Sequence, residues 1–298
     1  MSALALVLLV LIFENSAGAQ DKLVVSFTPN WASIIRGESI NMTCNGADST
    51  QFYVWYKDQK LVKVGLGVNQ YSIDFAYTWH SGDYLCETVN ATSDPVRLDV
   101  RNVNLLLQVP HSVYEGDSVS LRCHSYPGYS AGGTIFYNKD NEIIQSTGEE
   151  TLSLEKISMG AAGHYSCKKT IFYGNQNDHQ HIAEGTLAVK ELFSSPHLDV
   201  NPQEVTNGAN MTLTCNRMSK SAPDLLFAFY RGKKTVKEFS PSNKYQVWST
   251  KPNHSGNYTC EVRTSNYNVK KRSPVLHIQI QAHYPLSGEK KKFKPNKI

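Results

Sequence analysis

The chain has 298 residues, of which 40% are hydrophobic and 19% are charged, and its formal net charge is +4 at pH 7. Residues 289–298 hold five lysines and one glutamate, so the positive excess lies in this last segment and the remainder is close to neutral. A near-neutral body without a basic stripe lacks the electrostatic footprint of a nucleic-acid-binding protein.

The first 19 residues have the composition of a secretory leader. Residues 3–13 form an unbroken apolar run, and Ala17-Gly18-Ala19 follows it. The run is too short for a membrane span, which takes about 20 residues, whereas a small-x-small triplet is typical of a signal-peptide cleavage site. We expect cleavage after Ala19. Since no later segment is apolar over a comparable length, we expect a secreted protein, or one on the extracellular face of the cell if the sequence is a truncated form.

A pattern built around two cysteines then occurs three times. Each copy has a glycine seven residues before one cysteine, alternating apolar and polar residues up to that cysteine, and Gly-x-Tyr-x-Cys at a second one. Alternation is typical of a half-buried strand with the sulfur on its inner face. The tyrosine matches the tyrosine corner of immunoglobulin sandwiches. The predicted disulfides are Cys44–Cys86, Cys123–Cys167 and Cys215–Cys260.

The repeat predicts an all-β protein of three tandem immunoglobulin-like (C2-type) β-sandwich domains with one disulfide each. The predicted domains are residues 20–101, 102–191 and 192–281, followed by a basic polar tail at 282–298. The connectors around 101–104 and 191–196 are short and lack glycine, so we expect stiff junctions. A buried aromatic residue should pack on each disulfide, and the pattern assigns this place to Trp55, Tyr137 and Phe229.

Five Asn-x-Ser/Thr sequons agree with an exported protein and predict glycosylation. Asn41 and Asn210 are out of phase with the inward residues of their strands, so glycans there should face solvent. The sequon asparagines are Asn41, Asn90, Asn210, Asn253 and Asn257.

Several segments resemble a known family of receptors. Pro29-Asn-Trp31, Asn104-Leu-Leu-Leu-Gln108, Leu121-Arg-Cys-His124 and Leu226-Phe-Ala-Phe229 occur in the order in which similar segments occur in leukocyte immunoglobulin Fc receptors and Fc receptor-like proteins. The resemblance covers all three domains. It implies a receptor that binds immunoglobulin Fc through the second domain and its junction with the first.

The resemblance also places a ligand site. The family holds an Fc proline between two tryptophans, whose positions match Asn104 and Tyr126 in this chain, so neither tryptophan is present. Asp, which usually stands two residues before the glycine of Gly-x-Tyr-x-Cys, is replaced by His80, Ala161 and His254. The residues expected to contact a ligand are Asn104, Tyr126, Pro127, Tyr129, Lys168, Lys169, Phe172 and Tyr173. The alternative is an adhesion-type or decoy protein that recognises a non-antibody partner.

Other features have two interpretations. Phe172 and Tyr173 either contact a ligand from the loop between the last two strands of domain two or pack on the neighbouring hairpin. Trp31 and Trp79 either face a ligand or pack in a core or between domains, and we favour packing. Trp248 should lie on a strand of the third domain. The lysine tail either makes weak contact with polyanions or is a solubilising end, and we favour the latter.

Metal and enzyme functions are not supported by the pattern. His-x-His at 179–181, preceded by Asp178, places two imidazoles on one strand face, but no third ligand follows at a diagnostic spacing. There is no His-Glu-x-x-His motif and no phosphate-binding glycine loop. Because all six cysteines are assigned to disulfides, none remains as a nucleophile. We therefore expect no metal, no cofactor and no catalytic residue.

Overall fold

The computed structural model describes residues 23–46, 51–138, 140–145, 148–173, 179–217, 224–266 and 268–281. The predicted signal peptide and lysine tail lie outside these residues. The described residues form two compact units, one comprising 23–111, 120–152 and 164–187 and the other 112–119, 153–163 and 188–281. Regular structure in both is β-strand, with three short 3-10 turns. In the described part of the chain, no helix has the length and apolarity needed to cross a membrane.

The first domain has eight strands: β1 Val24–Thr28, β2 Ser33–Ile35, β3 Ile40–Asn45, β4 Phe52–Lys57, β5 Lys60–Leu66, β6 Gln70–Ile73, β7 Gly82–Glu87 and β8 Val96–Arg101. They form two sheets in the orders β1-β3-β6 and β2-β8-β7-β4-β5. The first strand is split between the sheets, because β1 pairs antiparallel with β3 whereas β2 pairs parallel with β8. β5 is an edge strand.

The second domain has seven strands: β9 Leu105–Gln108, β10 Val119–Ser125, β11 Ser130–Tyr137, β12 Ile143–Gln145, β13 Thr151–Leu154, β14 Gly163–Phe172 and β15 His179–Leu187. Its sheets have the orders β13-β10-β9 and β12-β11-β14-β15. The turn between β10 and β11 and the end of β14 therefore lie at the same end of the sandwich as the start of β9.

The third domain has ten strands: β16 His197–Asn201, β17 Val205–Thr206, β18 Met211–Asn216, β19 Leu225–Arg231, β20 Lys234–Ser240, β21 Lys244–Val247, β22 Gly256–Thr264, β23 Lys270–Arg272, β24 Leu276–Ile278 and β25 Ile280–Gln281. One sheet has the order β16-β18-β21, and the other has the order β20-β19-β22-β23 with β24 also paired to β22. β17 and β25 pair in parallel.

The alternating pattern before each first cysteine forms the predicted half-buried strand. In β3, for example, Ile40, Met42 and Cys44 are buried and Asn41 and Asn45 are exposed. The three predicted disulfides, Cys44–Cys86, Cys123–Cys167 and Cys215–Cys260, are all present. The three-sandwich, all-β class with one disulfide in each sandwich is therefore confirmed.

The aromatic residues that pack on the disulfides correct one assignment. Trp55 and Phe229 lie opposite Cys86 and Cys260 and are fully buried, as predicted. In the second domain the residue opposite Cys167 is Phe136, which is 1% exposed, and not Tyr137. Two residues separate β4 from β5, whereas five separate β11 from β12, so an alignment of similar residues in the two turns displaces the assignment by one. A shift of one residue moves a side chain to the other face of the sheet.

The tyrosine corners of the first and third domains are present, and in both a histidine stands in the place of the missing aspartate. The hydroxyl groups of Tyr84 and Tyr258 donate hydrogen bonds to the carbonyl oxygens of His80 and His254 at 2.8 and 2.7 Å. The Nδ1 atoms of the same two histidines accept hydrogen bonds from backbone N–H groups three residues earlier. Each histidine side chain thus supplies a hydrogen-bond acceptor for the backbone N–H group at the start of its short 3-10 turn. Burial raises the pKa of Tyr84.

Candidate functional site

The predicted ligand contacts come together at one end of the second domain, within the first compact unit. Asn104 precedes β9, Tyr126 and Tyr129 flank the turn between β10 and β11, and Phe172 and Tyr173 lie where β14 ends. Residues from three separate parts of the sequence therefore share one surface.

The turn between β10 and β11 has the chemistry of a type II β-turn. Pro127 and Gly128 occupy its two central positions, and Gly128 has a φ of +99°, which the third position of a type II turn requires. The N–H group of Tyr129 donates a 3.2 Å hydrogen bond to the carbonyl oxygen of Tyr126 and closes the turn. The N–H group of Tyr126 donates to the carbonyl oxygen of Asn104 at 2.9 Å, which fixes the turn to the segment entering β9.

Tyr173 is the centre of the site. Its hydroxyl oxygen accepts a 2.9 Å hydrogen bond from the side-chain amide of Asn104. The same oxygen lies 2.9 Å from Nε2 of His181 in β15. Tyr173 is thereby held from two sides, by the segment before β9 and by the neighbouring strand.

The rings of three tyrosines form a continuous aromatic surface, which we call the tyrosine cluster (Tyr126, Tyr129 and Tyr173). Tyr129 lies edge-on to Tyr173 with 5.1 Å between ring centroids, and Tyr126 lies 5.8 Å from Tyr129. Tyr129 is 40% exposed, whereas Tyr126 and Tyr173 are half-buried. Edge-to-face contacts of this kind stabilise a fixed ring arrangement, so the cluster presents a partly exposed and ordered aromatic surface.

Phe172 and Lys168 lie at the border of the cluster. Phe172 is opposite Ser130 in the β11–β14 pairing and covers Gly132, while about two-fifths of its surface stays exposed. Its ring therefore both packs on the hairpin and remains accessible, so the two interpretations of this residue are compatible. Lys168 is half-buried.

Lys169 does not fit the predicted contact set, because its side chain is 1% exposed. Its ammonium group donates to Glu150 Oε1 at 2.5 Å and to the carbonyl oxygen of Cys123 at 3.3 Å. Burial raises the pKa of Glu150, but the hydrogen bond and charge of Lys169, together with the charges of Arg122 and His124, outweigh burial and hold that pKa below its ordinary value. Lys169 therefore has a structural role beneath the site, and the prediction that it contacts a ligand is wrong.

A second group of polar side chains, which sequence reasoning missed, joins the first domain to the second within the first unit. Glu38 Oε1 lies 2.9 Å from Nε2 of His124. Glu38 Oε2 accepts hydrogen bonds from the N–H of Ile35 at 2.6 Å and from the amide of Gln108 at 3.3 Å. Burial tends to raise the pKa of Glu38, but its contacts with His124 and Ile35 lower it overall. One indication of this group was present in the sequence, because His124 lies in a segment that carries the family resemblance. That segment did not indicate that Glu38 would contact His124.

The structure also places three tryptophans and the sequon asparagines. Trp31 packs against the core of the first domain, as predicted. Trp79 is 66% exposed and stacks on Tyr77 at 4.2 Å, so the prediction that it lies in a core or between domains is wrong. Trp248 follows β21 directly and is exposed instead of lying on the strand. All five sequon asparagines are exposed.

Two motif matches carry no chemistry in this fold. Residues 128–132 fit Gly-x-Ser-x-Gly, a match that sequence reasoning overlooked. A nucleophile elbow places that serine between a strand and a helix, whereas Ser130 here begins a strand. His179 and His181 pack beside Tyr173, and Asp178 lies outside the described residues. Over the described ranges, no three histidine, cysteine or acidic side chains are grouped as metal ligands.

Comparisons with known proteins give one family. A family model described as "Immunoglobulin domain" matches residues 102–182 and 195–280. Human Fc receptor-like protein 4 is 29% identical over 92% of this chain, which spans 53% of that relative. Mouse Fc receptor-like B is 28% identical over 93% of this chain, which spans 66% of that relative. The crystal structure of the second Ig-C2 domain of human Fc-receptor like A is 35% identical and covers 30% of this chain and 98% of its own, with a TM-score of 0.27.

Proposed function

The chain belongs to the immunoglobulin-domain family and is related to the Fc receptor-like proteins, and from that premise we propose that it is an extracellular receptor-like protein that binds immunoglobulin Fc through domain two and its junction with domain one. The observation that carries the proposal is the tyrosine cluster. It lies where the family resemblance implies that an Fc proline is held, and its rings are already fixed by contacts within the chain.

The cluster offers the kind of surface that an interface anchor needs. Tyrosine is enriched at interface hot spots because it combines apolar area with a hydroxyl group. A ring that is ordered before binding loses little conformational freedom when a partner arrives, and the affinity benefits accordingly. Although both tryptophans are absent, the three smaller tyrosine rings therefore still provide an aromatic surface on which a proline can pack.

Asn104 contributes to this surface through Tyr173. Its side chain occupies a position where the family has a tryptophan, and it cannot supply an aromatic face. Its amide instead donates to the Tyr173 hydroxyl and its carbonyl accepts from the Tyr126 N–H. In this proposal Asn104 is a positioning residue, and Tyr126, Tyr129, Tyr173, Pro127 and Phe172 contact the ligand, with Lys168 at the border.

Surface plasmon resonance against purified immunoglobulin classes tests this function. The protein is captured at the surface, and each class is passed over it at rising concentration. Saturable binding to the Fc fragment of one class supports the proposal. A concentration of about 50 µM is well above the dissociation constant of a specific complex. If no class binds at that concentration, Fc recognition is excluded.

A different surface favours a second candidate function, adhesion to a non-antibody partner. On the outer face of the first domain, Phe52 pairs with Leu66, Val54 with Val64 and Tyr56 with Leu61. Phe52, Leu61, Val64 and Leu66 are each between 55% and 62% exposed. Contiguous exposed apolar side chains on an edge strand are typical of an interaction surface.

The two functions predict different partners in one experiment. Tagged protein is incubated with serum and with solubilised leukocyte membranes, and bound proteins are identified by mass spectrometry. Immunoglobulin chains that are lost with Tyr173→Ala support Fc binding. A membrane protein that is retained by Tyr173→Ala but lost with Leu61→Ser/Val64→Thr supports the adhesion function.

A further inference from the structure

Asn210 directly precedes β18 and Trp248 directly follows β21, at adjacent ends of two paired strands in the third domain. β18 and β21 pair antiparallel, with Met211 opposite Val247 and Thr212 opposite Gln246. Met211 and Val247 are buried. The next residues beyond these two strand ends, Asn210 and Trp248, are both exposed, and Trp248 lines a surface pocket together with Lys244 and Gln246.

The side chain of Asn210 is oriented by the backbone beside Trp248. Its Oδ1 atom accepts a 3.1 Å hydrogen bond from the N–H of Ser249. N-linked glycosylation modifies Nδ2 and leaves the amide oxygen free to keep this bond. Asn210-Met211-Thr212 is a sequon, and Asn210 is exposed. The amide nitrogen is therefore presented to solvent by an already fixed side chain.

Trp248 is an unusual residue for its surroundings. It is 67% exposed, and the side chains that share the outer face on β18 and β21 are polar: Thr212, Thr214, Gln246 and Lys244. An indole at such a place exposes a large apolar ring to water unless another group covers it. The first sugar of a glycan at Asn210 has an apolar face of ring C–H groups, and its attachment point is tied by a hydrogen bond to Ser249, the residue after Trp248.

We propose that Asn210 carries an N-linked glycan whose first N-acetylglucosamine packs on the indole of Trp248. The glycan then acts as part of the third domain and stabilises the sheet edge formed by β21. Asn41 supplies an internal comparison, because it is also an exposed sequon asparagine on the corresponding strand of the first domain, but Ser72 lies opposite it. A glycan at Asn41 has no aromatic ring across the strand pair and should add no comparable stability.

The test is a double-mutant cycle on the full chain expressed through the secretory pathway of mammalian cells. Thr212→Val removes the sequon while keeping Asn210 and its bond to Ser249, and Trp248→Ser removes the ring. Glycopeptide mass spectrometry should find Asn210 occupied. In calorimetry, Thr212→Val should lower the Tm of the third domain by about 4 °C, a shift expected for a modest local loss in a domain of this size.

The effects of Thr212→Val and Trp248→Ser on the Tm of the third domain should not be additive. In the Trp248→Ser background, Thr212→Val should change the Tm by less than about 1 °C. Thr43→Val, which removes the Asn41 sequon, is the matched control and should leave the first domain's Tm within the same margin. An unoccupied Asn210, or an equal effect of Thr212→Val with and without Trp248, overturns the proposal.

A fluorescence measurement covers the case in which Trp248→Ser is not secreted. Enzymatic removal of the glycans from the otherwise unmodified protein should expose Trp248 and increase quenching of tryptophan emission by acrylamide. Trp79→Phe removes the other strongly exposed indole and sharpens this readout. Unchanged quenching after complete glycan release also overturns the proposal.

Discussion

The side-chain amide of Asn104 donates a 2.9 Å hydrogen bond to the hydroxyl oxygen of Tyr173, 69 residues later in the chain. The bond connects the segment that enters the second domain with the loop that follows β14. Without it, the hydroxyl group of Tyr173 would be held only by Nε2 of His181. The orientation of the most central ring in the tyrosine cluster thus depends on a residue that has no aromatic surface of its own.

The first prediction concerns the rings. If the cluster is the ligand surface, Tyr126→Ala and Tyr173→Ala should each weaken Fc binding by about thirtyfold, since truncating an interface anchor costs about 2 kcal/mol. The dissociation constant from surface plasmon resonance measures this. Tyr165→Ala is the contrasting variant, because Tyr165 is buried in the core and its loss should reduce secretion. Unchanged affinity in both cluster variants would place the site elsewhere.

The second prediction separates positioning from contact. Asn104→Ala removes the hydrogen bond to Tyr173 and leaves all rings in place, so the affinity should fall about fivefold, equivalent to about 1 kcal/mol. Tyr173→Phe removes the same bond from the other side. The double variant should therefore be no weaker than Tyr173→Phe alone. Additive losses would mean that Asn104 contacts the ligand directly.

The architecture and most of the candidate site could be predicted from the sequence. The threefold cysteine pattern and strand alternation indicate the sandwiches, and the family resemblance indicates Tyr126, Tyr129 and Tyr173. The burial of Lys169 was also within reach, because Cys167 points inward and the residue two positions later on a strand points the same way. The family resemblance and the strand alternation disagree at Lys169, and the structure agrees with the alternation.

The remaining contacts arise only when distant segments meet. Glu38 and His124 come from two domains. The sequence around either residue does not indicate that the other will be its partner. The bond between Asn104 and Tyr173 has the same origin. Periodicity indicates which face of a strand is buried, but it carries no information about which residue of another strand or domain will lie against it.

The third prediction concerns pH. The folded-state pKa of Glu38 lies below its ordinary value near 4.5, so the carboxylate contributes stability above that pH. This contribution is lost as the pH falls through the folded pKa. The unfolding midpoint in urea should fall less steeply between about pH 5 and pH 3 for Glu38→Gln than for the unmodified protein. Equal slopes would show that the contacts of Glu38 contribute nothing to folding.

The fourth prediction concerns an ion cluster within the second compact unit. The ammonium group of Lys271 lies 2.5 Å from Glu115 Oε1 and 2.8 Å from Glu191 Oε1, and it donates to the carbonyl oxygen of Phe193 at 2.6 Å. Burial alone would lower the pKa of Lys271, but the two carboxylates outweigh it and raise that pKa. The lysine therefore stays charged throughout the neutral range, and its stabilising contribution is lost only as the pH rises through the raised pKa.

Lys271→Met should destabilise this unit by about 3 kcal/mol, because it leaves the largely buried Glu115 carboxylate without its cation. Urea unfolding followed by circular dichroism measures the loss. Lys271→Met/Glu115→Gln should recover more than half of it, since glutamine is neutral and keeps an oxygen that can accept the 3.0 Å hydrogen bond from the Leu192 N–H. Lys270→Met is the control: Lys270 is exposed and 3.8 Å from Glu261, so its removal should cost less than about 0.5 kcal/mol. A double variant as unstable as Lys271→Met would show that Lys271 acts through packing of its aliphatic stem and not through its charge.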